Sequence, residues 1–180
     1  MPLCLLRLLM LVILLRPLQG FLHPFSSRHF FRPNTCRFLT VNIHIVGKKT
    51  TEDWIMAGVA EYETRLRPVI TLHTTFFRSD QALVSALKAP KGVVLAMDEG
   101  GRQYTSPEFS SLLYRSFEEG GAQVTFVVGG FDGLPEEIKA KYPLVSLSRM
   151  TWTHQMARLL LVEQIYRASE IHRGSGYHKE

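Results

Sequence analysis

The chain ends on GSGYHKE, residues 174–180, so Tyr177, His178 and Lys179 stand behind a Gly-Ser-Gly hinge. A phenol, an imidazole and an ammonium are groups that hold a polar substrate and take a proton from it. Chain ends are ordinarily frayed, so these residues matter only if the rest of the chain builds a site. The strongest sign of one is VVGGFDGLP, residues 127–135, where an apolar run leads directly into Gly129 and Gly130. Ligands of open α/β sheets lie beyond the carboxyl ends of strands, and glycines there let a ligand approach the backbone. The same pair also suits a turn that needs positive φ. It is neither the dinucleotide fingerprint nor a phosphate loop.

Two further stretches carry functional groups. MDEGG, residues 97–101, offers Asp98 and Glu99, which read as a polar loop after a strand. Hydrolysis by paired carboxylates needs a second acid brought from elsewhere. SLSRMTWTH, residues 146–154, brings four hydroxyl residues and a tryptophan to a helix start, with Thr153 as its N-cap. His154 has no His, Cys or carboxylate at ligand spacing, so a metal is not expected. Ser146 and Ser148 lack the strand-turn-helix context of a nucleophile, which argues against acyl transfer. Arg158 and Arg167 fall on the last helix. A solvated face is the plain reading for both, and Arg158 is also a candidate for substrate contact.

The elements that must position these groups alternate. Strands are expected at VNIHIVG (41–47), VITLHTTFF (69–77), GVVLAMD (92–98), AQVTFVVGG (122–130) and LVSLS (144–148). The third and fourth are nearly continuous apolar runs, as for strands buried on both faces. Between them lie helices from Thr51 to Pro68, over DQALVSALK behind Ser79, from 106 to 119 with Pro107 in the first turn, and from 135 to 141. A last helix over 153–173 carries Met156, Leu159, Leu160, Ile165 and Tyr166 at helical spacing. Strands alternating with helices mean an α/β domain with a largely parallel sheet.

The chain of 180 residues has a formal net charge of +5, and that excess has one source. No acid precedes Glu52, whereas Arg7, Arg16, Arg28, Arg32 and Arg37 all precede Val41. Without those five arginines the chain has 16 basic and 16 acidic residues, so net charge gives no argument for nucleic-acid binding. Residues 3–15, LCLLRLLMLVILL, are apolar but interrupted by Arg7 and short for a membrane span. Residues 19–38 then run rich in Ser, Arg and Phe, the composition of a transit peptide. The reading is a cleaved targeting leader over 1–40 and one domain over 41–180, with no membrane in the mature form. A two-part address of this kind favours a plastid; a simple mitochondrial presequence is the alternative. Cys4 and Cys36 both fall in the leader, leaving the body without a disulfide or a Cys metal site.

From GGFDGL, through SLSRMTWTHQMARLLLVEQIYRA, to GYHKE, the chain closely resembles the RlmH family. These are SPOUT-class methyltransferases acting on a pseudouridine of large-subunit ribosomal RNA. The resemblance covers residues 41–180 and includes VGKKTTEDWIMAGVAEYETRLRP. It implies an α/β, SPOUT-type, largely parallel sheet flanked by helices, with a C-terminal trefoil knot, and a homodimer. It implies S-adenosylmethionine as cofactor, contacted by Met97, Gly129 and the run Leu147, Ser148, Arg149, Met150, Thr151 and Trp152. Met150 and Trp152 supply apolar walls. The family's last residues complete the substrate pocket across the dimer, and Tyr177, His178 and Lys179 occupy those places. His178 is the candidate base for the N3 proton, and Tyr177 stacks on the base or bonds its carbonyls. Lys179 stands where the family usually has Arg, exchanging a fork of donors for a point charge at the substrate. Thr153 replaces a common proline, and the segment between the second and third strands is short for the family. The expected partner is large-subunit rRNA or the assembled ribosome. The competing readings are a SPOUT enzyme for another RNA position and a non-catalytic ribosome-associated binding protein.

Overall fold

The computed structural model describes residues 39–49 and 52–179. Of the expected leader, only Leu39 and Thr40 fall among them, and they open the first strand. The elements run β1 (Leu39–Val46), α1 (Asp53–Leu66), β2 (Ile70–Phe77), α2 (Asp80–Ala86), β3 (Val93–Gln103), α3 (Ser106–Glu119), β4 (Gln123–Val128), α4 (Glu136–Lys141), β5 (Leu144–Ser146) and α5 (His154–His172). The five strands form one sheet in the order β2-β1-β4-β3-β5. Every pairing is parallel, as the alternation of strands and helices requires.

Period-two alternation divides the core between the two faces of the sheet. Val41, Ile43 and Ile45 of β1, Leu95 and Met97 of β3, and Val124, Phe126 and Val128 of β4 face one side. There they pack on Leu66 of α1, Leu113 and Phe117 of α3, and Leu161, Val162 and Ile165 of α5. Val94, Ala96 and Val127 face the other side and meet Leu83 and Leu87 behind α2 and Ile138 of α4. β3 and β4 therefore read as unbroken apolar runs because both of their faces are covered. Each fully buried aliphatic or Phe side chain stabilises the fold by about 1.5–3 kcal/mol.

Local chemistry fixes the helix starts. Ser79 caps α2 by accepting from the Ala82 N–H at 3.3 Å, and Thr153 caps α5 by accepting from the Met156 N–H at 3.3 Å. At α3 the Thr105 side chain accepts from the Glu108 N–H while Glu108 accepts from the Thr105 N–H at 2.8 Å, a complete capping box that the sequence reading missed. α1 opens at Asp53 behind Glu52, later than expected, and Thr51 lies outside the described residues.

Three expectations are corrected. β3 does not stop at Asp98: it runs on to Gln103, with a shift of register between Met97 and Arg102 where it pairs with β5. Gly101 makes this possible, since a Cβ there would lie 2.7 Å from the Leu144 carbonyl carbon. On α5 the buried stripe is Leu161, Val162, Ile165 and Ala168, with Leu159 and Leu160 only half-buried. Leu159 instead packs on α1 at Gly58, where a Cβ would come within 3.0 Å of it. Arg158 does not lie on a solvated face. It is buried, and its guanidinium reaches Glu63 of α1 at 3.3 Å and sits over the Phe76 ring. No described helix is long and apolar enough to cross a membrane.

Candidate functional site

The carboxyl ends of β3, β4 and β5 open into a crevice of ≈ 1040 Å³, completed by the starts of α1 and α5. Of the eight residues expected to touch a cofactor, seven line it: Met97, Gly129, Leu147, Ser148, Met150, Thr151 and Trp152. Arg149 is exposed and is not among the lining residues. A pocket of this size, with apolar walls and a few polar groups, suits a ligand of cofactor dimensions.

The loop after β4 turns on itself. Gly130 and Gly133 pair as an antiparallel bridge, with the Gly133 N–H donating to the Gly130 carbonyl at 3.3 Å. Gly133 has φ of +80°, a conformation costly for any residue with a Cβ. A Cβ on Gly129 would meet the Gly133 carbonyl carbon at 2.3 Å and the Leu134 nitrogen at 2.7 Å. This corrects the expectation that glycine is needed at 129 to leave space for a ligand: the loop's own backbone fills that space. Phe131, at the tip of the loop, is wholly exposed.

On the opposite wall, residues 147–153 are held by short-range hydrogen bonds. Ser146 Oγ donates to the Ser148 carbonyl at 2.8 Å, and Ser148 Oγ accepts from the Met150 N–H at 3.0 Å. Thr151 Oγ1 donates to Glu99 Oε2, joining this wall to the continuation of β3. Met150 and Trp152 remain partly open to solvent. Asp98 accepts from the Gly100 N–H at 2.9 Å and pairs with Lys139 of α4 at 3.1 Å. That hydrogen bond and the charge of Asp98 raise the Lys139 pKa. Reading MDEGG as a plain polar loop missed these contacts, because the partners Lys139 and Thr151 are distant in sequence. The visible signal was two acids directly behind a buried strand, where ligand sites gather.

His154 also lines the crevice, its ring against Gly47, where a Cβ would stand 3.1 Å from Nε2. Its Nε2 is buried without a hydrogen-bond partner among the described residues. The described residues include no group of three or more His, Cys, Asp or Glu that could hold a metal ion.

The tail lies elsewhere in its own protomer. Tyr177 packs edge-on against Tyr166 with ring centres 4.9 Å apart, beneath the Arg167 guanidinium, and its hydroxyl donates to Glu163 at 3.3 Å. Burial, followed by the charge of Glu163, pushes its pKa up to about 12. His178 Nδ1 is buried without a partner among the described residues, while Lys179 is exposed. None of the three lines the crevice, and neither does Arg158. Burial lowers the Arg158 pKa, with Glu63 opposing that shift. The geometry therefore gives two separate parts: a ligand crevice at the strand ends, and a polar terminus docked on α5.

The family model and the curated relatives agree on the family. The family model described as "Predicted SPOUT methyltransferase" matches residues 39–178. A protein of Protochlamydia amoebophila named ribosomal RNA large subunit methyltransferase H is 38% identical over 141 residues, spanning 78% of this chain and 99% of that one. Its namesake from Dictyoglomus thermophilum is 36% identical over 153 residues, spanning 78% and 99%. Among solved structures, a probable methylase family protein from Haemophilus influenzae Rd KW20 superposes with a TM-score of 0.48 at 14% identity, over 78% of this chain and 70% of that one. The chain belongs to the SPOUT methyltransferases, within the RlmH family.

Proposed function

We propose that this protein uses S-adenosylmethionine to methylate large-subunit ribosomal RNA, at N3 of a pseudouridine in the assembled ribosome of an organelle. The observation that carries the reading is the crevice, which gathers seven residues matching the family's cofactor contacts around the ends of three parallel strands. The names of the relatives support the RNA substrate. The crevice fits the cofactor: Met97, Leu147, Met150 and Trp152 offer apolar walls for the adenine, the loop from Gly129 offers backbone groups, and carboxylates face a cation. Bound there, S-adenosylmethionine supplies the electrophilic methyl group.

The protein's own groups then have to bind the base and take its proton. In this reading the enzyme is a homodimer with a trefoil-knotted chain, and the tail of one protomer completes the crevice of its partner. The tail's docking on α5, apart from its own crevice, supports that arrangement. Tyr177, with its raised pKa, keeps its phenol proton through working pH and is not the base. That leaves the proton to His178, whose imidazole is suited to general-base work. Lys179 meets the RNA backbone as a point charge. The leader over residues 1–40 directs import, to a plastid in preference to a mitochondrion, and is dispensable for catalysis.

The decisive experiment is mass spectrometry of rRNA nucleosides from cells with and without the gene, followed by restoration with purified protein and labelled cofactor on isolated ribosomes. The expected result is one methyl group lost from a pseudouridine and regained in vitro. Unchanged rRNA would overturn the reading. A fusion of residues 1–40 to a fluorescent protein that stays in the cytosol would overturn the organellar assignment.

A further inference from the structure

The side chains around the crevice carry an imbalance that RNA binding does not explain. Glu52, Asp98, Glu99 and Asp132 line it, against Lys139 as the only lysine or arginine among the described residues, and Lys139 is engaged by Asp98. Carboxylates repel phosphates, so this wall does not serve the backbone of a nucleic acid. It is suited to a cation. Among these acids Glu99 is the one tied to the opposite wall of the cleft: Thr151, in the wall that carries Met150 and Trp152, donates its hydroxyl proton to Glu99 Oε2. The bond spans 52 positions of sequence and ties the continuation of β3 to the segment before α5.

We propose that Glu99 is a specificity residue of the crevice: its carboxylate, positioned by Thr151, favours the sulfonium of S-adenosylmethionine over the neutral thioether of the product. The inference rests on the cofactor assignment above. In methyl transfer the carbon–sulfur bond breaks with its electron pair left on sulfur, the methyl carbon bonds to the target nitrogen, and that nitrogen gives its proton to His178, the base of the reading above. The positive charge on sulfur is gone once the step is complete. A carboxylate at the crevice wall therefore attracts the incoming cofactor and has no charge to hold in S-adenosylhomocysteine. The gain is in exchange of product for cofactor, not in the chemical step. Favouring the charged sulfonium in the ground state does nothing to lower the barrier, because the charge is already dispersing in the transition state.

Two substitutions separate charge from tether. Glu99→Gln keeps a carbonyl oxygen to accept from Thr151 and removes only the charge, whereas Thr151→Val removes the tether and keeps the charge. Both side chains are exposed, so neither change disturbs the core. Calorimetric titration of the full-length protein with S-adenosylmethionine and with S-adenosylhomocysteine reads the result without any turnover. For the loss of one solvent-screened charge attraction of about 1 kcal/mol, Glu99→Gln is expected to weaken the sulfonium ligand about three- to tenfold. The thioether should change by less than about twofold, and the difference between ligands should shrink as salt is raised. Thr151→Val releases the same carboxylate, so it is expected to weaken the sulfonium ligand more than the thioether, by less than Glu99→Gln does. Equal losses for the two ligands in Glu99→Gln, or an unchanged affinity ratio, would overturn the proposal and leave the cofactor assignment standing. A wild-type protein that binds neither ligand would overturn both.

Discussion

Replacing Tyr177 by Ala should separate stability from turnover. The side chain is half-buried, and its contacts include an edge-on ring pair with Tyr166 at 4.9 Å, a place under the Arg167 guanidinium at 5.0 Å, and a long hydrogen bond to Glu163 at 3.3 Å. An aromatic pair contributes about 0.5–1.5 kcal/mol, and an exposed cation–π contact about 0.5–1 kcal/mol. Arg167 keeps Glu163 at 2.7 Å without the phenol, so loss of the hydroxyl strands no charge. The sum is about 1–2.5 kcal/mol, or a fall in Tm of roughly 2–10 °C for a domain of this size. The protein stays folded at 25 °C. Methyl transfer to ribosomes, by contrast, should fall by at least about 10²-fold, since the change removes a group that orients the target base. Tyr177→Phe keeps the ring pair, so stability should hardly move and any loss of turnover reports the hydroxyl. The measurements are thermal unfolding, calorimetric titration of cofactor, and transfer of labelled methyl to ribosomes. Full turnover in Tyr177→Ala would refute the assignment of the tail to the site. Weakened cofactor binding with unchanged fold would refute the separation of tail and crevice.

Four further outcomes follow from the packing. Glu63→Ala leaves the buried Arg158 without its carboxylate, and as Glu63 is itself partly exposed the cost should be about 1–3 kcal/mol in urea unfolding; adding Arg158→Met should recover most of it. Burial lowers the His44 pKa below 6.5, so stability present above that value should fall as pH drops through 6.5 towards the folded-state pKa, and a His44→Gln variant should show a shallower acid limb. Burial raises the Tyr114 pKa to about 12, so the matching loss should come on the alkaline side, between pH 10 and about 12, and Tyr114→Phe should flatten it. Gly133→Ala, at φ of +80°, should cost about 1–2 kcal/mol of stability by forcing a Cβ into left-handed backbone, visible as an earlier urea midpoint.

The order and kind of elements were legible because each carried its own period or cap: QVTFVV admits no face without an apolar partner, and Ser79 and Thr153 announce their helices locally. What escaped was set by residues far apart in the chain. Nothing near Arg158 in sequence says that Glu63 will receive it, and nothing in DEGG says that a strand continues through two glycines. Gly129 shows a subtler gap. Its place at the crevice was foreseen, but the demand for glycine comes from Gly133 and Leu134 folding back on it, a contact no local pattern encodes. The tail is the opposite case. Residue types pointed to chemistry, yet a single chain docks them on α5, and the function assigned to them depends on a second copy.

The position of β1 has a consequence for how the chain is made. It lies second in the sheet, between β2 and β4, and its register with β4 begins at Thr40 opposite Gln123. During synthesis β1 can find β2 early, but its other edge has no partner until more than eighty further residues have appeared. At about 5–20 residues per second that wait lasts roughly 4–16 s. For that interval Val41, Ile43 and Ile45 belong to an unfinished two-stranded ribbon, too small to be stable alone. Completion of the sheet is therefore postponed until the chain is mostly made, and the apolar edge of its first strand waits unpaired until then.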